Sequence, residues 1–530
     1  MSLKLALPAF FLLIPCGASA GDKPLRQVID EEIDAVWKKE KITPAGPAAD
    51  TVFLRRIYLD LLGVVPSFDE TTRFLNDTDP EKRAKLVDKL LDDPRYADEQ
   101  SHVWDLVLFG RHPEGYEATR KREDFKNWLK EQFAKNEPYD RLVRNLLMGE
   151  QEGTELYYVQ FRNQPEEATV AVTRVFLGTQ LQCARCHDHP FENWTQKDFF
   201  GMTGFFVRLV VLDPVAGKGK GKGHYRIAEK STGEVLFSGS VKETRPGKKG
   251  DPVPAKFLGG DLLAEPAPAK GFKEPDFKGS GPLPKPAFSR KEKLVDWLTA
   301  ADNPYFARAV ANRVWAQFMG RGLVHPVDDL KDKTPASHPA LMRALTDYLV
   351  HNKFNLKWYI REVVNSKTYQ LGDTGAVTVA LPEKFERARI RPLSAEELMA
   401  ALKAATASDD KVWKDNAGVE YMTRYFGEPV DGQGSFQGSL AEHLFLNNAS
   451  HIRQLVQPRK GNLAETLLKS KESWEEKVDR MFLSILSRPP TPREKERFVK
   501  HLSGDSKMAP ALLEEALWTL VSCSEFRFNR

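Results

Sequence analysis

Glu166-Glu167-Ala168-Thr169-Val170-Ala171-Val172-Thr173-Arg174-Val175-Phe176-Leu177 leads through Gly178-Thr179-Gln180 into Leu181-Gln182-Cys183-Ala184-Arg185-Cys186-His187-Asp188-His189-Pro190. The first part has neither glycine nor proline and reads as a helix, and Pro190 is a stop signal, so the region is a helix that delivers a short turn. The same grammar extends towards the N-terminus. Helices are expected at 28–37, around Val52 to Leu61, at 81–91, 99–109, 125–134 and 139–147, with Ser67 and Glu70 set as a capping box between the second and third. Beyond Pro190 comes an aromatic segment with Phe191, Trp194, Phe199, Phe200, Phe205 and Phe206, read as core. The composition changes after Phe206. Alternating Gly and Lys at 217–223, two short strands joined by Ser231-Thr232-Gly233, and a Pro/Gly/Lys-rich stretch from 246 to 286 read as a small β-rich insert with long loops. Helical patterns return from 291 to the end, one of them capped by Ser394 with Glu397, while 426–438 is glycine-rich and loop-like.

The expectation is a mainly α protein of two helical domains, 21–206 and 287–530, separated by the insert at 207–286. An internal echo relates the two. Asp93-Pro94-Arg95-Tyr96-Ala97, Val103-Trp104 and Gly110-Arg111 recur as Asn303-Pro304-Tyr305-Phe306-Ala307, Val314-Trp315 and Gly320-Arg321. Tyr139-Asp140-Arg141-Leu142 is echoed by Leu356-Lys357-Trp358-Tyr359. The chain therefore reads as two related helical halves interrupted by an insert.

At 530 residues the chain is too long for one ordinary core. Its 41% hydrophobic and 29% charged residues are those of a globular protein, and a net charge of +4 gives no basis for a nucleic-acid partner. The lysine run at 217–223 leaves contact with an acidic polysaccharide open, but a solvated loop is the favoured reading of such a run. Lys4, an apolar run of about ten residues and Ala18-Ser19-Ala20 form a secretory signal peptide with cleavage near Ala20, too short to span a membrane. No later stretch reads as a transmembrane segment. The expected location is therefore outside the cytoplasm, in the periplasm or at the cell surface. Removal of Cys16 leaves Cys183, Cys186 and Cys523, which excludes a disulfide scaffold.

Cys183-x-x-Cys186-His187 is the attachment signature of c-type haem. In that chemistry both thiols add to haem vinyl groups and His187 becomes the axial ligand to iron. The sixth position has no assigned occupant; Met148, Met202, Met319 and His102 qualify only by residue type. A second reading gathers Cys183, Cys186 and His189 as three ligands of a structural zinc or iron ion. A third makes the two thiols a local disulfide. No nucleophile elbow, metalloprotease helix, phosphate loop or dinucleotide fingerprint accompanies them. Whether the chain is an enzyme stays open, and so does the identity of a redox partner or surface protein.

The run from Phe176 to Phe191, followed by Trp194-Thr195-Gln196-Lys197-Asp198-Phe199, resembles the planctomycete cytochrome-c-like domain of unknown function. Tyr58-Leu59-Asp60-Leu61-Leu62-Gly63 and Pro66 are similar to its N-terminal helix and turn. Asn303-Pro304-Tyr305-Phe306-Ala307-Arg308, Asn312-Arg313-Val314-Trp315, Gly320-Arg321-Gly322-Leu323-Val324 and Arg391-Pro392-Leu393-Ser394-Ala395-Glu396-Glu397-Leu398 look like the planctomycete surface-type domain that follows it. The resemblance implies an exported bacterial protein with Cys183, Cys186 and His187 as haem residues. It assigns no distal ligand.

Overall fold

Capping side chains and left-handed residues divide the chain into short helices. The computed structural model describes residues 23–110, 122–214, 223–237, 250–278, 281–330, 335–375, 380–408, 422, 440–504 and 506–530. The expected leader at 1–20, most of the 217–223 loop and the 426–438 loop lie outside these residues. Among the described residues the protein is mainly α-helical, with three two-stranded sheets. No described helix is long and apolar enough to cross a membrane.

The first helices are α1 (Leu25–Glu40), α2 (Asp50–Leu62), α3 (Phe68–Asn76), α4 (Lys82–Leu91) and α5 (Pro94–Phe109). They are followed by α6 (Glu123–Ala134), α7 (Tyr139–Met148), α8 (Leu156–Val159), α9 (Pro165–Phe176) and α10 (Gln196–Thr203). The expected Ser67–Glu70 capping box forms at α3. The echoed segments also fold alike: Asp93 and Asn303 both accept backbone N–H groups of the helix that follows, and Gly110 and Gly320 end those helices at φ 69° and 72°. Glycine suits both ends because it adopts positive φ without a Cβ clash.

The insert departs from the expected hairpin. Its strands are β1 (Leu209–Leu212), β2 (Arg226–Glu229), β3 (Val235–Leu236) and β4 (Pro252–Val253). β2 pairs antiparallel with β1, Leu209 opposite Glu229, while β3 pairs with β4. Ser231-Thr232-Gly233 therefore carries the chain between two sheets instead of closing one. Arg208 is the physical reason: its Nε donates to the Gly233 carbonyl at 3.0 Å, and its guanidinium joins that of Arg290 on Glu234 and Glu265. Two buried arginines shared by two carboxylates hold the insert on the helices.

After the insert come α11 (Arg290–Leu298), α12 (Phe306–Met319), α13 (Pro339–His351) and α14 (Leu356–Val364), then β5 (Arg391–Pro392) and α15 (Ala395–Thr406). Next are α16 (Leu440–Asn448), α17 (Ser450–Val456), α18 (Leu463–Lys469), α19 (Trp474–Ile485) and α20 (Pro492–Leu502). The chain ends with α21 (Ala509–Ser522), α22 (Ser524–Arg527) and β6 (Phe528–Asn529). One hydrophobic core draws on residues from Leu25 to Phe385, including Val211, Ile227 and Val253 of the insert. Tyr139 of α7 stacks on Phe306 of α12 at 5.2 Å inside it, so the two echoed stretches share one interior. A second core, from Leu393 to Phe526, also takes in Leu59 and Val65.

Helix α2 runs between these cores. Its apolar residues have the spacing of a one-faced helix, yet every residue from Phe53 to Leu62 is buried, because the second core covers the polar face. Arg55 donates to the carbonyls of Ile485 and Phe526 at 3.1 and 2.9 Å. Arg56 donates to Tyr369, Leu371 and Arg530. Asp60 accepts from the Tyr369 hydroxyl, Arg391 and Asn529 at 2.7 to 2.9 Å. Burial of these polar groups is tolerable because each finds fixed partners.

Candidate functional site

The cysteine motif sits on a turn whose inner residues are anchored. Helix α9 begins with Pro165 at its first position and Glu166 and Glu167 in its first turn, an arrangement that suits the positive end of the helix dipole. It ends at Phe176 with Leu177 as its cap, and Gly178 adopts φ 61°. A Cβ on Gly178 would lie 2.5 Å from Leu330 Cδ1, so only glycine lets the chain pass this close. Leu330 N–H donates to the Gly178 carbonyl at 2.9 Å, and Gln180 Nε2 donates to Asp328 Oδ1 at 3.0 Å. The loop after α12 therefore braces the run into the motif.

Gln182–Arg185 forms one 3-10 turn. Leu181 and Ala184 are fully buried and hold it to the core, whereas Cys183 and Cys186 are exposed. Cys183 lies within this turn and Cys186 is the residue at its end. Both thiols are unbridged, and Cys523 is likewise free. Arg185 pairs with Glu167 of α9 at 2.7 Å, and its carbonyl accepts from Gln196 of α10. Gln196 N–H in turn donates to Asp188 Oδ1 at 3.1 Å.

The two histidines have different roles. His187 is exposed, and its Nδ1 lies 2.7 Å from the Asp188 carbonyl oxygen. A carbonyl only accepts, so Nδ1 carries the proton and Nε2 keeps its lone pair in the neutral ring. His189 is buried, and its Nδ1 accepts the backbone N–H groups of Phe191 and Glu192 at 3.2 and 3.0 Å. Here the backbone only donates, so Nδ1 is unprotonated and the neutral ring carries its proton on Nε2. His189 N–H also donates to the Trp194 carbonyl at 2.8 Å, which closes a loop over 189–194. Thr195 and Asp198 form a capping box at α10, and Lys256 pairs with Asp198 at 2.7 Å.

Of the aromatic segment, Phe199, Phe200, Phe205 and Phe206 are core as expected and Trp194 is half-buried. Phe191 is the exception: it is 67% exposed and stands over the loop closed by His189. Among the described residues, Cys183, Cys186, His187 and His189 do not bring three donor atoms within 4.8 Å of one another. Of the residues named for a sixth ligand, Met202 and Met319 are buried, and His102 lies 3.5 Å from Glu396. Asp328, Asp188 and Gln196 position the motif without any signal in the sequence, since Asp328 is 148 residues from Gln180.

The donor set fits c-type haem. Two exposed thiols stand three positions apart at an anchored turn, and the adjacent imidazole keeps Nε2 available because a carbonyl holds Nδ1, the arrangement that orients histidine ligands elsewhere.

Two family models match in chain order. PSCyt2, described as a protein of unknown function (DUF1549), covers residues 28–210, and PSD1, likewise a protein of unknown function (DUF1553), covers 290–430. The chain carries a PSCyt2 region followed by a PSD1 region. The PSCyt2 region runs from within α1 to beyond α10 and holds the whole cysteine motif, and the PSD1 region holds α11 to α15, so the brace from Asp328 to Gln180 joins the two. No curated protein and no solved structure matches the chain.

Proposed function

We propose that this protein is exported and holds haem c at Cys183, Cys186 and His187, serving electron transfer or a partner's redox reaction in the periplasm or at the cell surface. The observation that carries the reading is the motif itself: two exposed, unbridged thiols, Cys183 in a 3-10 turn and Cys186 at its end, beside an imidazole with Nε2 left unprotonated. When bound, haem would supply a one-electron iron couple. Cys183 and Cys186 would each form a thioether, and His187 Nε2 would donate to the iron while Asp188 fixes the ring. Exposure of both thiols leaves them reachable by a maturation system, and the leader pattern at 1–20 would deliver the chain to the compartment where attachment takes place.

The competing reading, a scaffold with zinc or iron on Cys183, Cys186 and His189, gains less from the geometry. With its Nδ1 accepting two backbone N–H groups, His189 could offer only Nε2 to a metal. That would require a ring with no proton on either nitrogen, or loss of the loop bonds.

The test is expression with the leader intact in a host that matures c-type cytochromes. A Soret band and haem stain that survives denaturation are expected, with loss of covalent attachment in Cys183→Ala plus Cys186→Ala and an altered spectrum in His187→Ala. Colourless protein under these conditions overturns the proposal. Stoichiometric zinc that disappears in His189→Ala would install the scaffold reading instead.

A further inference from the structure

A second set of donors meets on the surface away from the cysteine motif. Asp124 in the first turn of α6, Glu152 in the loop after α7 and His224 just before β2 place one donor atom each within 4.8 Å of one another. His224 Nε2 lies 3.2 Å from Glu152 Oε1. These residues are 28 or more positions apart in sequence, and two left-handed glycines bring them together.

Gly149, at φ 66°, approaches β2 so closely that a Cβ would lie 3.3 Å from Ile227 Cγ1. Gly153, at φ 90°, approaches the start of α6, where a Cβ would lie 2.7 Å from the Asp124 carbonyl oxygen. The intervening loop is thus pressed between the insert and α6, with Glu152 at their junction. Trp128 Nε1 donates to Gln151 Oε1 at 2.6 Å and fixes the loop from the α6 side.

The charge arrangement points to a cation. Neighbouring acids have basic partners: Glu123 has Lys126 at 3.9 Å and Glu150 has Lys285 at 3.5 Å. Among the described residues neither Asp124 nor Glu152 has a lysine or arginine within ion-pair distance, and only His224 faces the two carboxylates. One imidazole nitrogen with two carboxylate oxygens suits zinc or manganese, whereas calcium and magnesium favour oxygen alone. All three side chains are exposed, which leaves the remaining coordination positions to water.

We propose that Asp124, Glu152 and His224 bind one divalent transition-metal ion of the zinc or manganese class, which fastens the insert to the helical core. The site shares no residue with the cysteine motif and stands whether or not haem is attached there.

The test titrates zinc chloride into the full chain with its exposed thiols alkylated, so that Cys183 and Cys186 cannot compete, and follows binding by calorimetry. One equivalent is expected, weakened by about tenfold or more in each of Asp124→Asn, Glu152→Gln and His224→Gln, as loss of a metal ligand requires. Zinc should also raise the melting temperature of the parent and not of the variants; circular dichroism checks that each variant is folded. Binding that survives all three substitutions, absence of a stoichiometric site, or calcium binding as tightly as zinc would each overturn the proposal.

Discussion

Replacement of His189 by alanine separates the two readings of the motif most directly. The imidazole Nδ1 accepts from Phe191 and Glu192 at 3.2 and 3.0 Å, and the ring is buried. The substitution leaves two backbone donors without their acceptor on a half-open loop. An unsatisfied buried donor costs about 1–3 kcal/mol, so two would cost about 2–6 kcal/mol, and partial access of water to Phe191 and Glu192 places the sum near the bottom of that range, about 2 kcal/mol. For a core of this size that corresponds to a fall in melting temperature of only a few degrees. His187 and both thiols are untouched, so haem attachment and the axial ligand should persist. The assay pairs thermal unfolding of the matured protein with its visible spectrum. A slightly less stable protein with an unchanged Soret band is expected. An unchanged melting temperature together with loss of the bound group would refute the assignment of His189 to the loop.

Three further outcomes follow from the geometry. In protein made without haem, a thiol reagent should modify Cys183 and Cys186 quickly and Cys523 slowly, because burial pushes the Cys523 thiol up and hides it; three equal rates would contradict this. Asp60→Ala should cost about 3 kcal/mol in denaturant unfolding by removing the shared acceptor of Tyr369, Arg391 and Asn529, with Arg391 still held by Glu397; a change below about 0.5 kcal/mol would show that the Asp60 bonds do not hold α2 between the two cores. Burial and the nearby Glu397 push Glu99 up to about 7, so the fold binds its proton more tightly than the unfolded chain and loses stability as pH rises from about 4.5 through about 7. His102, opposed by burial but raised overall by Glu396, acts in the same direction. Glu99→Gln should therefore stabilise the protein by about 2 kcal/mol at pH 8, a figure discounted for partial solvent access, and hardly at pH 5; equal effects at both would reject the titration.

Much of the local structure was legible because its causes are local. Ser67 with Glu70, and Ser394 with Glu397, announce helix starts through side chains that reach their own backbone. Gly110 and Gly320 end matching helices because glycine takes positive φ without a Cβ clash, and Cys183 and Cys186 stand three positions apart at a short turn. What the sequence could not reveal depends on partners far along the chain. Nothing near Ser231-Thr232-Gly233 tells that Arg208 and Arg290 will draw the strands into separate sheets.

By itself, then, the sequence determined a mainly helical chain, its punctuation, the small insert and the cysteine-histidine cluster. These follow from periodicity and from residues whose interactions span a few positions. Only the tertiary structure decided that the stretch after the insert packs into the same core as the first helices, and that α2 buries its arginines between two cores. It also divided the labour of two histidines two positions apart. Hydrogen-bond direction made that division: a carbonyl fixes the proton of His187 on Nδ1, while two amides claim the same atom of His189 as an acceptor.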